Sequence, residues 1–209
     1  SRGLGDVYKR QVLTFIAACT KNLRLGTGIC LVPQRNPIYT AKMVADLDYL
    51  SGGRVDFGVG IGWLKEEFVN LGMDFKNRAA RCIEYIEVMK ELWSPEVSEY
   101  RGETVDLRPC HFNPKPTQKP HPPIYFGGES DAALYRVATF GDGWYAYDIS
   151  PEELAIRLDS LDSKMQQTVR SLDQIELMVG PNRHSVNEKT IELYSFFRGN
   201  AARCYFVRL

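Results

Sequence analysis

The stretch Ser51–Trp63, SGGRVDFGVGIGW, concentrates residues whose types and spacing could do chemistry. Val55 to Val59 is apolar enough for a strand buried on both faces, and Gly58, Gly60 and Gly62 bare the backbone toward its C-terminal end. In parallel α/β folds that end is where ligands bind, and a glycine there lets main chain approach a flat ring or a phosphate. The same glycines could instead fill a narrow barrel interior or let a helix pack closely on a strand, and spacing leaves both readings open. A dinucleotide fingerprint is disfavoured, because Gly-x-Gly-x-x-Gly would put its third glycine where Trp63 stands.

Gly127-Gly128-Glu129-Ser130 is the second candidate. Bare amides at a helix start, with a serine hydroxyl beside them, suit an anion. A plain glycine turn with a serine cap accounts for the same residues equally well. Glu129 would have to turn its carboxylate away from a phosphate. Glu66 and Glu67 come after the first glycine turn and could reach a ligand there, or simply be acids at a helix N-terminus. Asp46 and Asp48 are expected on a solvated helix face, and His184 on the surface after a strand. No Gly-Lys-Ser/Thr and no Gly-x-Ser-x-Gly occurs, which removes Walker-type chemistry and a hydrolase nucleophile elbow. The five cysteines are scattered without a CxxC pair and the three histidines lie far apart, so no metal site is expected. The thiols read as reduced and mostly as core filler.

The elements that could position these groups succeed one another in regular order. Residues Ser1–Gln11 are polar, unlike the apolar helix Val12–Thr20 that they join abruptly, and read as a non-native or unrelated leader. Leu23–Val32 reads as the first strand, and Asn36-Pro37 opens a helix that stops at Gly52. Val55–Ile61 is the second strand, and a helix starts near Asn77 with an apolar stripe that belongs to the core. Ser94–Pro122, with six prolines, is too long for an ordinary connection and reads as a lid-like insertion. Strands at Pro123–Gly127, Gly143–Ile149 and Ile175–Gly180 each precede a helix: Asp131–Phe140 capped by Ser130, one opened by Ser150, Pro151 and a capping-box Glu153, and one near Val186. No hairpin signal intervenes, so the pattern is βα repetition around a parallel sheet. The rim of strand ends would gather Thr27–Cys30, Gly60–Trp63, Gly127–Ser130, Tyr145–Asp148 and Gly180–Asn182. Five units fit either an open doubly wound sheet or part of a closed barrel.

The 209 residues suffice for one sizeable core, or at most two small domains. Lys plus Arg, 26, balance Asp plus Glu, 26, which argues against nucleic acid or an anionic membrane as partner. No apolar run approaches the roughly 20 residues of a membrane helix, and no signal-peptide pattern opens the chain, so a cytoplasmic location is expected.

LRLGTGICLVPQRNP, AKMVADLDYLSGGRVDFGVGIGWLKEEF, NPKPTQKPHPPIYFGGESDAAL and FGDGWYAY together resemble the bacterial luciferase-like monooxygenase family, nearest its coenzyme F-420-dependent branch. The likeness runs from about Phe15 to about Tyr194. It implies a (β/α)8 TIM barrel that binds FMN or coenzyme F-420 at its C-terminal rim and acts on a small organic substrate, by monooxygenation or hydride transfer. It implies a non-prolyl cis peptide at Gly28-Ile29, cofactor contacts from Thr27, Gly28, Ile29, Gly60, Ile61 and Trp63, and a phosphate held by Gly128, Glu129 and Ser130. Trp63 stands where the F-420-dependent glucose-6-phosphate dehydrogenase type has an acid, which disfavours phosphosugar oxidation. The family's first two βα units, the second of which commonly carries an Asp-His pair near the reacting centre, have no counterpart, so no catalytic residue is assigned. The stretch SFFRGNAARCYFVRL makes a doubtful closing strand. The expectation is therefore a truncated member, 12–209 being a partial barrel, inactive by itself and either aggregating or obligately paired. Family members are often homodimers. The rival readings are a non-catalytic flavin-binding relative and a sugar-phosphate-binding TIM barrel.

Overall fold

The computed structural model describes residues 9–181 and 202–203. It divides into two compact units, 1–122 and 123–209. Both are α/β, with their sheet strands parallel.

The first unit opens with helix α1 (Lys9–Cys19), which starts three residues before the expected boundary at Val12. The expected single strand Leu23–Val32 is instead two short pieces, β1 (Leu25–Gly26) and β2 (Cys30–Leu31). Both pair in parallel with β3 (Val55–Gly60), Leu25 opposite Val55 and Cys30 opposite Val59. The break between them is a cis peptide bond, Gly28-Ile29, which hydrophobic periodicity does not encode. Helix α2 (Pro37–Ser51) starts where the side-chain carboxamide of Asn36 accepts from the amides of Ile38 and Tyr39, at 3.0 and 3.1 Å, and stops at left-handed Gly52. After β3 come a short helix α3 (Lys65–Asn70) and the long α4 (Arg78–Trp93). Trp93 is fully buried, donates its indole N–H to the Ala41 carbonyl at 3.0 Å, and meets Phe57 edge-on. These contacts tie α4 to α2 and to β3.

The proline-rich segment overturns the expectation that no hairpin interrupts the βα order. It contains β4 (Val97–Arg101) and β5 (Asp106–His111), an antiparallel pair. Pro109 within β5 hides the strand from a propensity reading. The hairpin turn is fastened by Glu84 of α4, whose carboxylate accepts from the Thr104 amide (2.8 Å), the Thr104 hydroxyl (2.7 Å) and the Val105 amide (3.0 Å). Burial opposes the charge on Glu84, but the hydrogen bonds from Thr104 and Val105 outweigh it and hold the carboxyl below its ordinary pKa.

Asp48 corrects a second expectation. It is fully buried rather than solvated, because its carboxylate accepts from the Gln118 amide (2.9 Å) and side chain (2.7 Å) and from the Val55 amide. Gln118 also donates to the Val55 carbonyl at 2.7 Å. Beside it, the Arg24 guanidinium forms a forked ion pair with Asp56, which is likewise buried. Asp46 does lie toward solvent, paired with Lys42 at 3.0 Å. Of the four described cysteines only Cys82 is core; Cys19 is exposed, and Cys30 and Cys110 are half-buried.

The second unit is β6 (Ile124–Gly127), α5 (Asp131–Phe140), β7 (Gly143–Ile149), α6 (Pro151–Gln167) and β8 (Glu176–Pro181). These match the sequence reading within a residue or so. Ser130 caps α5 by accepting from the Ala133 amide, and Ser150 and Glu153 complete both halves of the capping box on α6. The doubtful closing segment supplies β9, two residues (Ala202–Arg203) parallel to β8. The expected helix near Val186, His184 and the leader's first eight residues lie outside the described residues.

Candidate functional site

In the first unit the structure brings Thr27, Gly28, Ile29 and Gly60 together. The Thr27 hydroxyl donates to the Gly58 carbonyl at 2.7 Å, and its amide donates to Asp56 O at 3.2 Å. A β-carbon on Gly58 would overlap the Thr27 carbonyl oxygen, and one on Gly60 would overlap the tip of the Ile29 side chain. Close packing against the 27–29 segment therefore accounts for both glycines. The peptide bond Gly28-Ile29 is cis, as the resemblance implies. Ile61 is half-buried, and Trp63 stands 77% exposed. Glu67 accepts a hydrogen bond from the Gln34 side chain at 3.1 Å, and both Glu66 and Glu67 sit in the first turn of α3. An apolar cavity of about 320 Å³ lies against Thr27, Ile29 and Cys30, with Arg35 on its wall. Among the described residues, Arg35 Nε is buried without a hydrogen-bond partner.

The second unit holds the other half of the expected set. Gly128, at φ 108°, turns the chain from β6 toward α5, and its carbonyl accepts from the Trp144 indole at 3.0 Å. The Glu129 carboxylate accepts from the Tyr147 amide, at the end of β7, at 3.1 Å. Ser130 Oγ accepts from the Ala133 amide at 3.2 Å. The first-turn acid, Asp131, is held below its ordinary pKa first by a hydrogen bond from Lys164, at 3.1 Å, and by that lysine's charge. A second cavity, of about 300 Å³, is lined by Glu129, Tyr147, Asp148, Glu153 and Arg157 at the end of β7 and the first turns of α6.

The sequence places Tyr145 and Tyr147 among the rim residues without giving them a role. In the structure their rings stack, 20° from parallel with centroids 6.2 Å apart. The signal was available in GWYAYDI, which puts both tyrosines on one face of a strand. Burial, and then Tyr147 beside it, push the Tyr145 phenol above its ordinary pKa. Among the described residues no group of three or more His, Cys, Asp or Glu is placed to hold a metal ion, and no helix is long and apolar enough to cross a membrane.

Comparison with known proteins adds identity to this geometry. A family model described as luciferase-like monooxygenase matches residues 10–192. An uncharacterized protein of Mycobacterium tuberculosis is 40% identical over 145 residues, covering 66% of this chain and 51% of its own. The FMNH2-dependent dimethylsulfone monooxygenase of Pseudomonas putida is 30% identical over 152 residues, covering 71% of this chain and 42% of its own. The coenzyme F-420-dependent tetrahydromethanopterin reductase of Methanopyrus kandleri superposes with a TM-score of 0.72 at 25% identity, covering 82% of this chain and 53% of that structure. The chain thus spans about half the length of the relatives it matches, and its parallel α/β units carry the fold of that part of their barrel.

Proposed function

The chain belongs to the luciferase-like monooxygenase family, and from that premise we propose that it is part of an FMN- or F-420-dependent oxidoreductase acting on a small organic molecule. The observation that carries the reading is the hydrogen bond from the Tyr147 amide to Glu129. It draws the Glu129 carboxylate aside, while Lys164 holds that of Asp131, and leaves to an anion the first amides of α5 that Ser130 does not cap. In the second unit Gly128 and Ser130 would hold a phosphate, and in the first unit, taken by itself, the 27–29 segment with Gly60, Ile61 and Trp63 would bear on a flat ring. A bound flavin or deazaflavin supplies hydride or electron transfer, and FMN also supports oxygen activation. The chain's own part is to bind, orient and shield. Thr27 and Gly58 fix the backbone beneath the ring position, and Ser130 offers a hydroxyl to the phosphate while capping α5. The segment 94–122, closing over the substrate, is the lid of the same reading.

The cysteines are scattered through the sequence without a CxxC pair, which suits a reducing compartment, and we infer a cytoplasmic protein. A homodimer belongs to the same reading, and sedimentation checks it. The decisive experiment titrates FMN and F-420 in parallel and tracks fluorescence. One of the two should bind, and Ser130→Ala should weaken it about 5-fold, the worth of one hydrogen bond. If neither binds, the reading fails and the sugar-phosphate barrel takes its place.

A further inference from the structure

The register of β6, β7 and β8 defines one face of the second unit residue by residue. Tyr125 lies opposite Gly143, Tyr145 opposite Met178, and Tyr147 opposite Gly180. A β-carbon at Gly143 would run into the Tyr125 ring, and one at Gly180 would come within 3.0 Å of the Tyr147 ring and 3.3 Å of the Tyr145 hydroxyl. The Tyr125 hydroxyl bonds Glu176 of β8 at 2.5 Å. This face therefore carries a tyrosine at three successive levels, while Trp144 and Ala146, on the opposite face, are fully buried. Toward the N-terminal ends of the strands, tyrosine is tied down by Glu176. Toward the C-terminal ends, Tyr147 is 57% exposed, and the half-buried Tyr145 makes no side-chain hydrogen bond among the described residues.

The upper pair is also held in place. Glu129 fixes the Tyr147 amide, the strand bulges just beyond it with Asp148 at φ 57°, and the bare backbone of Gly180 lets both rings lie across β8. An aromatic ring fixed at a strand's C-terminal end, beside a hydroxyl that donates to no described residue, is a surface suited to a flat partner.

We propose that Tyr145 and Tyr147 form a recognition surface for a planar conjugated ring bearing a carbonyl acceptor, which stacks on Tyr147 and accepts from the Tyr145 hydroxyl. A tyrosine phenol is protonated across the neutral range in any case and so can donate, and burial moves its pKa further up. The proposal rests on the oxidoreductase reading and narrows it to a substrate with such a ring. The same chemistry is offered by the cofactor's own ring, and the test separates the two sources.

The experiment measures FMN binding by fluorescence quenching and 7-hydroxycoumarin binding by equilibrium dialysis, the latter with FMN at saturation. It uses the wild-type chain, Tyr145→Phe and Tyr147→Leu. The expected result is coumarin affinity lowered about 5-fold by Tyr145→Phe and about 10-fold by Tyr147→Leu, with FMN affinity within about 2-fold of wild type. Weakening of FMN alone supports the surface and assigns the ring to the cofactor. If neither ligand responds to either variant, or if coumarin fails to bind the wild-type chain and FMN does not respond, the proposal is overturned. Tyr145→Phe keeps the stacked ring, so its melting curve should coincide with wild type and its loss of affinity cannot be misfolding. Should the wild-type chain bind coumarin but neither FMN nor F-420, the oxidoreductase reading fails while the tyrosine surface stands or falls on its own two variants.

Discussion

Two strand ends in this protein carry glycines that look alike in sequence and do different work. At the end of β3, Gly58 and Gly60 are bare because the Thr27 carbonyl and the Ile29 side chain occupy the space their side chains would need. At the end of β6, Gly128 meets only the Ala133 β-carbon, at 3.1 Å, and what demands a glycine is a backbone φ of 108°. The first is a matter of room and the second a matter of direction. A glycine-rich strand end is thus not by itself a ligand turn: neighbouring strands have to be consulted before the bare backbone is assigned to a cofactor.

The contrast can be broken at its strongest point. Gly58→Ala sets a methyl group against a backbone oxygen, which cannot swing aside, so the strands must part and stability should fall by about 3 kcal/mol or more. Gly60→Ala meets only a side-chain tip, and its cost should be clearly smaller, about 1–3 kcal/mol. Equal melting temperatures for the two variants would show that strand contact is not what the glycines serve. Gly128→Ala should cost about 1–2 kcal/mol for the forced backbone conformation. It should also weaken FMN by more than about 10-fold, so binding and stability separate at this strand end and fall together at the other. If FMN affinity tracks melting temperature in all three variants, the two ends are alike after all.

The smallest effect sharpens the comparison from outside both strand ends. Glu84 has its pKa lowered in the folded chain, so its contribution is fully present above the ordinary glutamate range and fades as pH falls through the lowered folded value. Glu84→Gln should cost about 1 kcal/mol at neutral pH and abolish that acid sensitivity. Hydrogen exchange at the Thr104 and Val105 amides is the readout. Unchanged protection of those amides between about pH 6 and pH 3.5 in the wild-type chain would contradict it.

Legibility from sequence tracks the range of the interaction. Asn36, Ser130 and the Ser150–Glu153 pair are readable as caps because a cap is settled within four residues. The strands β6, β7 and β8 and the helices between them are readable from local pattern, and the phosphate candidate at Gly128–Ser130 comes with them. The break between β1 and β2 is invisible to periodicity, since a cis peptide leaves the apolar pattern intact, and enters only through the family resemblance. The hairpin is hidden by Pro109, which argues against a strand unless the pairing partner is known. Asp48 reads wrongly as solvated because its burial depends on Gln118, seventy positions away. Nothing near Asp48 in the chain announces that partner. The direction of Glu129 is likewise unreadable, since Tyr147 reaches it only once β7 lies beside β6.

The Gln118 anchor has a consequence for how the first unit is made. A carboxylate at position 48, buried against Val55, is costly until something donates to it, and the main donors arrive with residue 118. During synthesis the β1–β3 pairing and the Arg24–Asp56 fork can close once residue 56 is available, whereas Asp48 waits for some sixty more residues. A nascent chain halted before Gln118 would keep that end of α2 wet and exchange-labile. Contacts of such separation close late and slowly. The end of the proline-rich segment is therefore the step that commits the first unit to its fold, and a stalled or nicked chain lacking it should be the form that proteases find first.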